Sequence, residues 1–311
     1  MKHMRPSSFV VPGFVLATVL IGLLAQPWQL RLGTEVLLVG TAVMSLNLMV
    51  GQAGLVSLCH GALFGGAAYG GALLALHVTA NPVLVILAGA ATGGLLALVA
   101  GVVSLRMQGL YFLVLTLVAG QLLWEVVFHW REVTGGADGL RGFLHARGED
   151  HAWSHPLPLY ALAAGWALCS LLVLRHVVQR PAGLLMQALR DQPLRLRTLG
   201  YSLARIRLLT WCVSGVVAGG AGALYPFINH YVSPDSTHWS FSASLLIMGV
   251  IGGIRTLHGA WLGAAIYLLC QTWLSSLTEH WQLLVGLIFV GVVLFMPDGI
   301  ATWRQRPAEK A

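Results

Sequence analysis

Residues 181–207 read PAGLLMQALRDQPLRLRTLGYSLARIR, and this polar stretch lies between two groups of apolar segments. It contains five arginines: Arg190, Arg195, Arg197, Arg205 and Arg207. Over the whole chain of 311 residues, 57% are hydrophobic and only 9% are charged, whereas about a quarter of the residues in soluble domains are charged. The composition therefore predicts an all-α integral membrane protein in which this basic stretch faces water.

Ten apolar runs are candidates for transmembrane helices, which need about 20 residues each. They cover residues 9–25, 36–50, 61–77, 83–105, 110–128, 157–174, 208–228, 241–251, 260–277 and 283–296. The first is interpreted as an uncleaved span, because Ala25-Gln26-Pro27 is a poor cleavage site. A loop with Arg31 and Glu35 is predicted after it. About ten crossings are expected, and the exact number is open around Gly51 and Gly252, where the runs are short.

The basic residues orient these spans, because cytoplasmic loops of membrane proteins are rich in Lys and Arg. With both termini in the cytoplasm, fourteen of the eighteen Lys and Arg lie inside. The four left outside are Arg31, Arg131, Arg141 and Arg147. The sequence thus predicts a single transmembrane domain over 1–311. It has a cytoplasmic segment over about 175–207, a periplasmic loop over about 129–156 and an outer polar connection over 229–240.

The basic segment has the pattern of two short helices at the membrane surface. Its first half places Leu184, Leu185, Ala188 and Leu189 on one helical face. Pro193 suits the first position of a second helix, and Gly200 suits its end. An amphipathic surface helix can insert into a cleft on a soluble subunit. The same pattern also fits a basic loop that merely associates with lipid.

Two parts of the chain are similar to each other. Residues 60–69 and 258–267 share His, Gly, Ala, Gly, Ala and Tyr at six of ten places. Each follows a glycine-rich interruption, over 51–54 and 252–253. Interrupted apolar segments in corresponding positions of two halves are typical of a transport pathway at the interface of an internal repeat. Coincidence among the small residues of membrane helices is the alternative.

Several stretches together resemble one family of membrane proteins. They read SLNLMVGQAGLVSLCHGA over 45–62, TGGADGL over 134–140, AGGAGALY over 218–225, VSPD over 232–235 and GGIRTLHG over 252–259. In this order they are similar to the LivM-type permease subunits of branched-chain amino acid ABC transporters. The basic segment resembles the cytoplasmic EAA-type loop of that family. Departures from the family pattern are Cys59, Leu184, Gln192-Pro193, Arg255 and Asp298.

The resemblance implies a permease subunit of an ATP-binding cassette importer in the bacterial inner membrane. It implies two cytoplasmic ABC ATPase subunits, a second, related permease and a periplasmic substrate-binding protein as partners, and branched-chain or related amino acids as substrates. The chain has no GxxxxGK[ST] sequence, and its only lysines are Lys2 and Lys310. ATP and Mg²⁺ are therefore expected in the ATPase subunits. No catalysis, cofactor or metal is expected in this chain, and no nucleic acid partner.

Two sets of candidate residues follow. The residues expected to couple this chain to the ATPase are Gly183, Ala188, Arg190, Asp191, Arg195 and Gly200. The residues expected along the translocation pathway are Asn47, Gly51, Gly54, His60, Glu125, Gly252 and Gly253. Glu125 is included because intramembrane carboxylates usually face a cavity or a partner. The alternative is an interfacial residue, since Glu125 is close to His129 and Arg131 in the sequence. His60 has two interpretations, as a pathway residue or as a packed, hydrogen-bonded histidine.

Three alternative functions are compared with the sequence. A permease for another small polar solute, such as urea or an amide, would have the same pattern. An ion-coupled secondary transporter needs intramembrane carboxylates or histidines, and only Glu125 is expected to be deep. It would also leave the basic segment unexplained. A membrane enzyme is disfavoured, because the polar loops contain no HExxH sequence and no paired catalytic carboxylates.

Overall fold

The computed structural model describes residues 10–104, 107, 109–143, 155–296 and 299–301. In this part of the chain the longer helices are α1 Val10–Leu24, α2 Pro27–Asn47, α3 His60–His77, α4 Pro82–Ser104, α5 Leu110–His129, α7 Pro156–Gln179, α10 Leu203–Leu224, α12 Trp239–Gly252, α13 Gly259–Leu277 and α14 Trp281–Phe295. The shorter ones are α6 Arg131–Thr134, α8 Pro181–Asp191, α9 Pro193–Thr198 and α11 Pro226–Asn229. Two short strands, β1 Leu140–Arg141 and β2 Tyr231–Val232, complete the fold.

Each of the ten predicted runs overlaps one of the longer helices, which confirms an all-α membrane protein. Six helical segments of the described chain are long and apolar enough to cross a bilayer. They are Pro27–Gln52, Pro82–Ser104, Leu110–His129, Pro156–Gln179, Leu203–Asn229 and Gly259–Leu277. Helices α1, α12 and α14 are apolar but shorter. The number of crossings, about ten, stays a prediction.

The predicted loop around Arg31 and Glu35 is wrong, because both residues lie inside α2. This helix begins at Pro27, and the Gln26 N–H donates to Gln29 Oε1 at 2.8 Å. Glu35 is tolerated in the helix because the Tyr225 hydroxyl, at the end of α10, donates to its carboxylate at 3.3 Å. A partner 190 residues away in the sequence thus removes the reason for predicting a loop.

Helix α10 lies at the centre of the bundle and packs closely against α4. Both helices carry glycines four residues apart, Gly89 and Gly93 in α4 and Gly215 and Gly219 in α10. A Cβ at Gly93 would lie only 2.6 Å from the Gly219 Cα atom. The backbones therefore touch through small residues, which is the usual way in which membrane helices associate without a hydrophobic driving force.

The strands link two connections that were both predicted to lie outside. Strand β1 pairs antiparallel with β2, and Leu140 is opposite Val232. The Arg141 guanidinium lies over the Tyr231 ring, 4.7 Å from its centre. The two connections therefore lie on the same side of the bundle. The predictions on Lys2, Arg5, Arg106, Arg147, Arg304, Arg306, Lys310 and Asp298 lie outside the described residues.

Candidate functional site: two helix breaks and the coupling segment

The first break interrupts the passage from α2 to α3. Helix α2 continues into a π-helical turn over Leu48–Gln52, and residues 53–59 then run without helix to His60. Leu55, Ser57 and Cys59 of this stretch are buried. The Leu58 N–H donates to the Thr116 hydroxyl of α5 at 3.2 Å. Non-helical backbone at membrane depth is tolerated where protein covers and satisfies it, so this stretch is a built-in interruption.

The second break joins α12 to α13 over residues 253–258 and lies directly against the first. A Cβ on Gly51 would overlap the Ile254 carbonyl group, so only glycine allows the two backbones to meet there. In the second break itself, Gly253 has φ +109°. A Cβ on Gly252 would overlap the Gly259 carbonyl group. The two glycine-rich interruptions are far apart in the sequence, but they contact each other and form one region of the structure.

Asn47 connects the two breaks from inside the bundle. It is buried at the last position of α2, and its Nδ2 donates to the Thr256 carbonyl at 2.9 Å. Because a buried amide that loses its partner costs about 1–3 kcal/mol, this bond strongly favours the present position of the second break. Asn47, Gly51, Gly252 and Gly253 were all predicted pathway residues, and the structure brings them together.

The segment that is predicted to couple this chain to an ATPase (residues 175–207, here named the coupling segment) contacts the first break through Arg190. The two short helices predicted in this segment are present, with Pro193 at the start of α9 and Gly200 (φ +86°) after its end. The Arg190 guanidinium donates to the Gly51 carbonyl. Gly54, with φ +69°, leaves room for this arginine, since a Cβ there would lie 2.6 Å from the Arg190 Cγ atom. Arg190 therefore joins α8 to the end of the π-helical turn.

Asp191 holds the Arg190 side chain in this orientation. Its Oδ1 atom accepts from Arg190 Nε at 2.8 Å. This hydrogen bond, together with the nearby charges of Arg190 and Arg255, lowers the pKa of Asp191 from its ordinary value. The carboxylate is therefore ionised, and the pair intact, throughout the neutral range. Arg255 belongs to the second break, so its charge attracts the Asp191 carboxylate of α8 toward that break.

The apolar face predicted for α8 is partly wrong. The residues that α8 buries are Gly183, Met186 and Leu189, while Leu184 is 62% exposed. The reason is the sharp return from α7, in which Gly183 packs against the Val178 carbonyl group so closely that a Cβ would overlap it. Ala188 is half-buried beside this face. Gly183 and Ala188 thus pack inside this protein.

The outer surface of the coupling segment combines exposed leucines with arginines. Leu194 is 77% and Leu199 67% exposed. Arg195 is also exposed, and its guanidinium donates to Gln192 Oε1 at 3.4 Å. Gly200 has no atom within 4 Å of an added Cβ, so its role is limited to the turn. An apolar patch rimmed by charge on a segment predicted to face water is typical of a protein-binding surface.

His60 is fully buried at the first position of α3. Its Nε2 atom lies 2.8 Å from the Ser214 hydroxyl of α10, which itself donates to the Ser45 carbonyl of α2 at 2.8 Å. Since that bond uses the only hydroxyl proton, Nε2 is the donor to Ser214. The geometry agrees with a packed, hydrogen-bonded histidine that connects three helices just beyond the first break.

Glu125 does not join the other predicted pathway residues. Its carboxylate lies 3.1 Å from His129 Nδ1, one turn further along α5, and 48% of its side chain is exposed. Sequence reasoning also missed two residues, Gln52 and Gln187, whose side chains meet between the first break and α8. A polar residue inside the glycine-rich interruption was the available signal for Gln52. No signal in the sequence paired it with Gln187.

These features define a multi-pass membrane protein whose interrupted helices contact an arginine-rich segment. The chain belongs to the family of permease components of branched-chain amino acid transport systems, whose family model matches residues 29–295. It is thus a permease subunit of a transport system rather than an enzyme. No solved structure matches the chain.

Individual relatives agree with this assignment. The chain is 27% identical to the high-affinity branched-chain amino acid transport system permease protein LivM of Salmonella typhimurium and to the protein of the same name from Escherichia coli. In both cases 96% of this chain and 79% of the relative are covered. It is also similar to a probable branched-chain amino acid transport permease protein LivH of Methanocaldococcus jannaschii, at 27% identity over 40% of this chain and 42% of the relative.

Proposed function

We propose that this chain is the transmembrane permease subunit of an ABC importer that carries branched-chain or related amino acids across the bacterial inner membrane by alternating access. The observation that carries the mechanism is the contact of α8 with the first break, through the Arg190 guanidinium and the Gly51 carbonyl, at the place where the second break packs against Gly51. The names of the relatives support the substrate class. The ATPase subunits that supply the energy have to act on this chain at some contact, and we expect them to act where α8 contacts Gly51.

The mechanism follows from the mechanical properties of the breaks. Helices transmit force along their axes, whereas residues 53–59 and 253–258 lack a continuous helical hydrogen-bond ladder and can change direction. Movement of α8 displaces Gly51 through Arg190. The second break follows, because Asn47 and the close backbone contact tie it to the first. Access to the pathway then alternates between the two sides of the membrane.

The proposed partners are those that the resemblance to the permease family implies. Two cytoplasmic ATPase subunits, which bind ATP and Mg²⁺, dock on α8 and α9 of the two permeases and bury Leu194 and Leu199. A second, related permease completes the pathway, and a periplasmic binding protein delivers the substrate to the side that carries β1 and β2. Both termini lie in the cytoplasm. An ion-coupled transporter would need a relay of carboxylates or histidines at membrane depth, whereas Glu125 lies 3.1 Å from His129 at the end of α5 and contacts neither break.

The test is uptake by the reconstituted complex. This chain and the subunits that purify with it are placed in proteoliposomes, and entry of radiolabelled leucine is measured with its binding protein present. We expect uptake only with ATP and Mg²⁺ on the ATPase side, and competition by unlabelled valine and isoleucine but not by urea. Uptake by this chain alone under an ion gradient would overturn the proposal. Competition by urea alone would overturn the substrate class.

A further inference from the structure

Two glutamine side chains form a directed chain of hydrogen bonds between the coupling segment and the second break. Gln187 lies on α8, and its Nε2 donates to Gln52 Oε1 at 3.3 Å. Gln52 is the last residue of the π-helical turn, and its Nε2 donates to the Arg255 carbonyl at 3.1 Å. Three segments that are far apart in the sequence are thereby joined in one line.

Glutamine is suited to the middle position of this chain. A primary amide both accepts and donates, so Gln52 can receive a hydrogen bond from α8 and pass one on to the second break. A carboxylate of the same length accepts but cannot donate, and a thioether of similar length does neither effectively. The polar link therefore depends on the amide, although residues of similar size would fill the same volume.

The backbone that carries Gln52 gives the side chain its influence. In the π-helical turn the Ala53 N–H donates to the Leu48 carbonyl at 3.3 Å and the Leu55 N–H to the Met49 carbonyl at 3.0 Å. Such wide turns are rare in helices and often lie at functional sites. Beyond Ala53 the chain has no helical ladder until His60. The direction in which this end of the turn moves is thus set by the contacts that its side chains make.

The relay is distinct from the two other connections at the site. Arg190 reaches only the first break, at the Gly51 carbonyl. Asn47 reaches the second break, at the Thr256 carbonyl, but starts from α2 inside the bundle. Of these connections, only the line Gln187–Gln52–Arg255 runs from α8 to the second break through side-chain hydrogen bonds.

We propose that the Gln187–Gln52 amide relay is a positioning device that makes the second break follow the movement of the coupling segment, so that ATP hydrolysis and solute transport stay in a fixed ratio. This inference rests on the proposed function, since it assumes an ATP-driven complex. Neither glutamine contacts the transported solute. Both act by making the second break move together with α8, through the hydrogen bond to the Arg255 carbonyl.

The experiment measures that ratio. Gln52→Met and Gln187→Met, singly and together, are reconstituted as the full complex with its binding protein, and ATP hydrolysis and leucine uptake are recorded on the same sample. We expect each single change to raise the ATP hydrolysed per leucine transported by about threefold or more, as the loss of a coupling contact does. The double variant should have the same ratio of ATP hydrolysed to leucine transported as each single variant, because each change breaks the same chain of hydrogen bonds.

Gln282→Met is the matched control, since Gln282 is an exposed glutamine at the start of α14 and lies outside the coupling segment. Its ratio should equal that of the unaltered complex. If Gln52→Met does not assemble, Gln187→Met decides alone, because it lies on a surface helix outside the bundle. An unchanged ratio in an assembled Gln187→Met complex, or additive effects in the double variant, would overturn the relay. A complex with unaltered residues that takes up no leucine with ATP would instead overturn the proposed function.

Discussion

At the scale of single residues, the site depends on glycines that leave room for a neighbour. Gly54 combines two constraints: its φ of +69° suits glycine, and Arg190 occupies the space where a Cβ would project. Glycine is the residue that meets both, because any side chain strains the backbone and displaces the arginine. The contact between α8 and the first break therefore rests on the absence of one methyl group.

Replacement of that glycine should reduce transport. In Gly54→Ala we expect initial leucine uptake by the reconstituted complex to fall about tenfold, since loss of the Arg190 contact removes coupling energy of the usual size. Gly142→Ala is the control: Gly142 has φ +80° but no atom within 4 Å of an added Cβ. It incurs the same kind of backbone strain, roughly 1–2 kcal/mol, without displacing a neighbour. Equal losses in both variants would show that strain alone is responsible.

Residue types explain which parts of the site were predictable. The glycines at positions 51, 54, 252 and 253 stand out by pattern, because local interruptions of apolar runs are visible in the sequence. Gln52 and Gln187 are ordinary polar residues whose meeting depends on how α8 returns from α7. Glu125 was predicted in the pathway because of its charge. Glu125 lies beside His129 because residues four apart share one helix face, but the direction in which that face points is set by the rotation of α5, which the weakly amphipathic sequence of that helix does not fix.

At the scale of elements, the coupling segment contains two short helices, α8 and α9, which are separated at Gln192. Gln192 has φ −146° and ψ 66°, outside the helical region, as expected for a residue that precedes proline. Pro193 therefore separates α8 and α9 and turns Leu194 toward the surface. Helices α8 and α9 and the turn after them expose Leu184, Leu194 and Leu199 in this chain, and a bound partner would bury these leucines.

This surface should be required for assembly. In Leu194→Glu we expect the ATPase subunits to be largely lost when the permease is purified by an affinity tag, because a carboxylate would be placed in an apolar contact. Ala182→Glu is the control, since Ala182 is exposed in the first turn of α8, where an acidic residue is favourable. The measurement is the amount of ATPase per permease in the eluate. Full retention in the Leu194→Glu variant would contradict a docking role for α9.

At the scale of the whole molecule, the contacts sort the connections into two groups. Residues 51–54, α8 and residues 253–258 meet at one end of the bundle, and β1 and β2 pair at the other set of connections. The distribution of Lys and Arg predicts the first group inside and the second outside. The grouping agrees with that prediction, since no contact described above joins a connection assigned inside to one assigned outside.

The orientation itself can be measured by cysteine labelling in whole cells. Cys169, Cys212 and Cys270 are first replaced by serine, while Cys59 is buried and can remain. A membrane-impermeant maleimide should then label Glu132→Cys in intact cells, and Arg197→Cys only after the inner membrane is opened. Both residues are exposed, so access to the reagent depends on the side of the membrane. Labelling in the reverse order would contradict a cytoplasmic coupling segment.

The sequence by itself determined the class of protein, the approximate positions of the helices, the two interruptions and the division of the basic segment at Pro193. These properties depend on local composition and backbone preference, which a single chain displays directly. Only the tertiary structure decided that the two interruptions touch, that Arg190 and Gln187 reach the first of them, that Leu184 faces solvent and that Glu35 stays inside a helix. Each of these depends on a close approach between residues far apart in the chain. Such an approach is set by the packing of whole helices, and no local pattern encodes it.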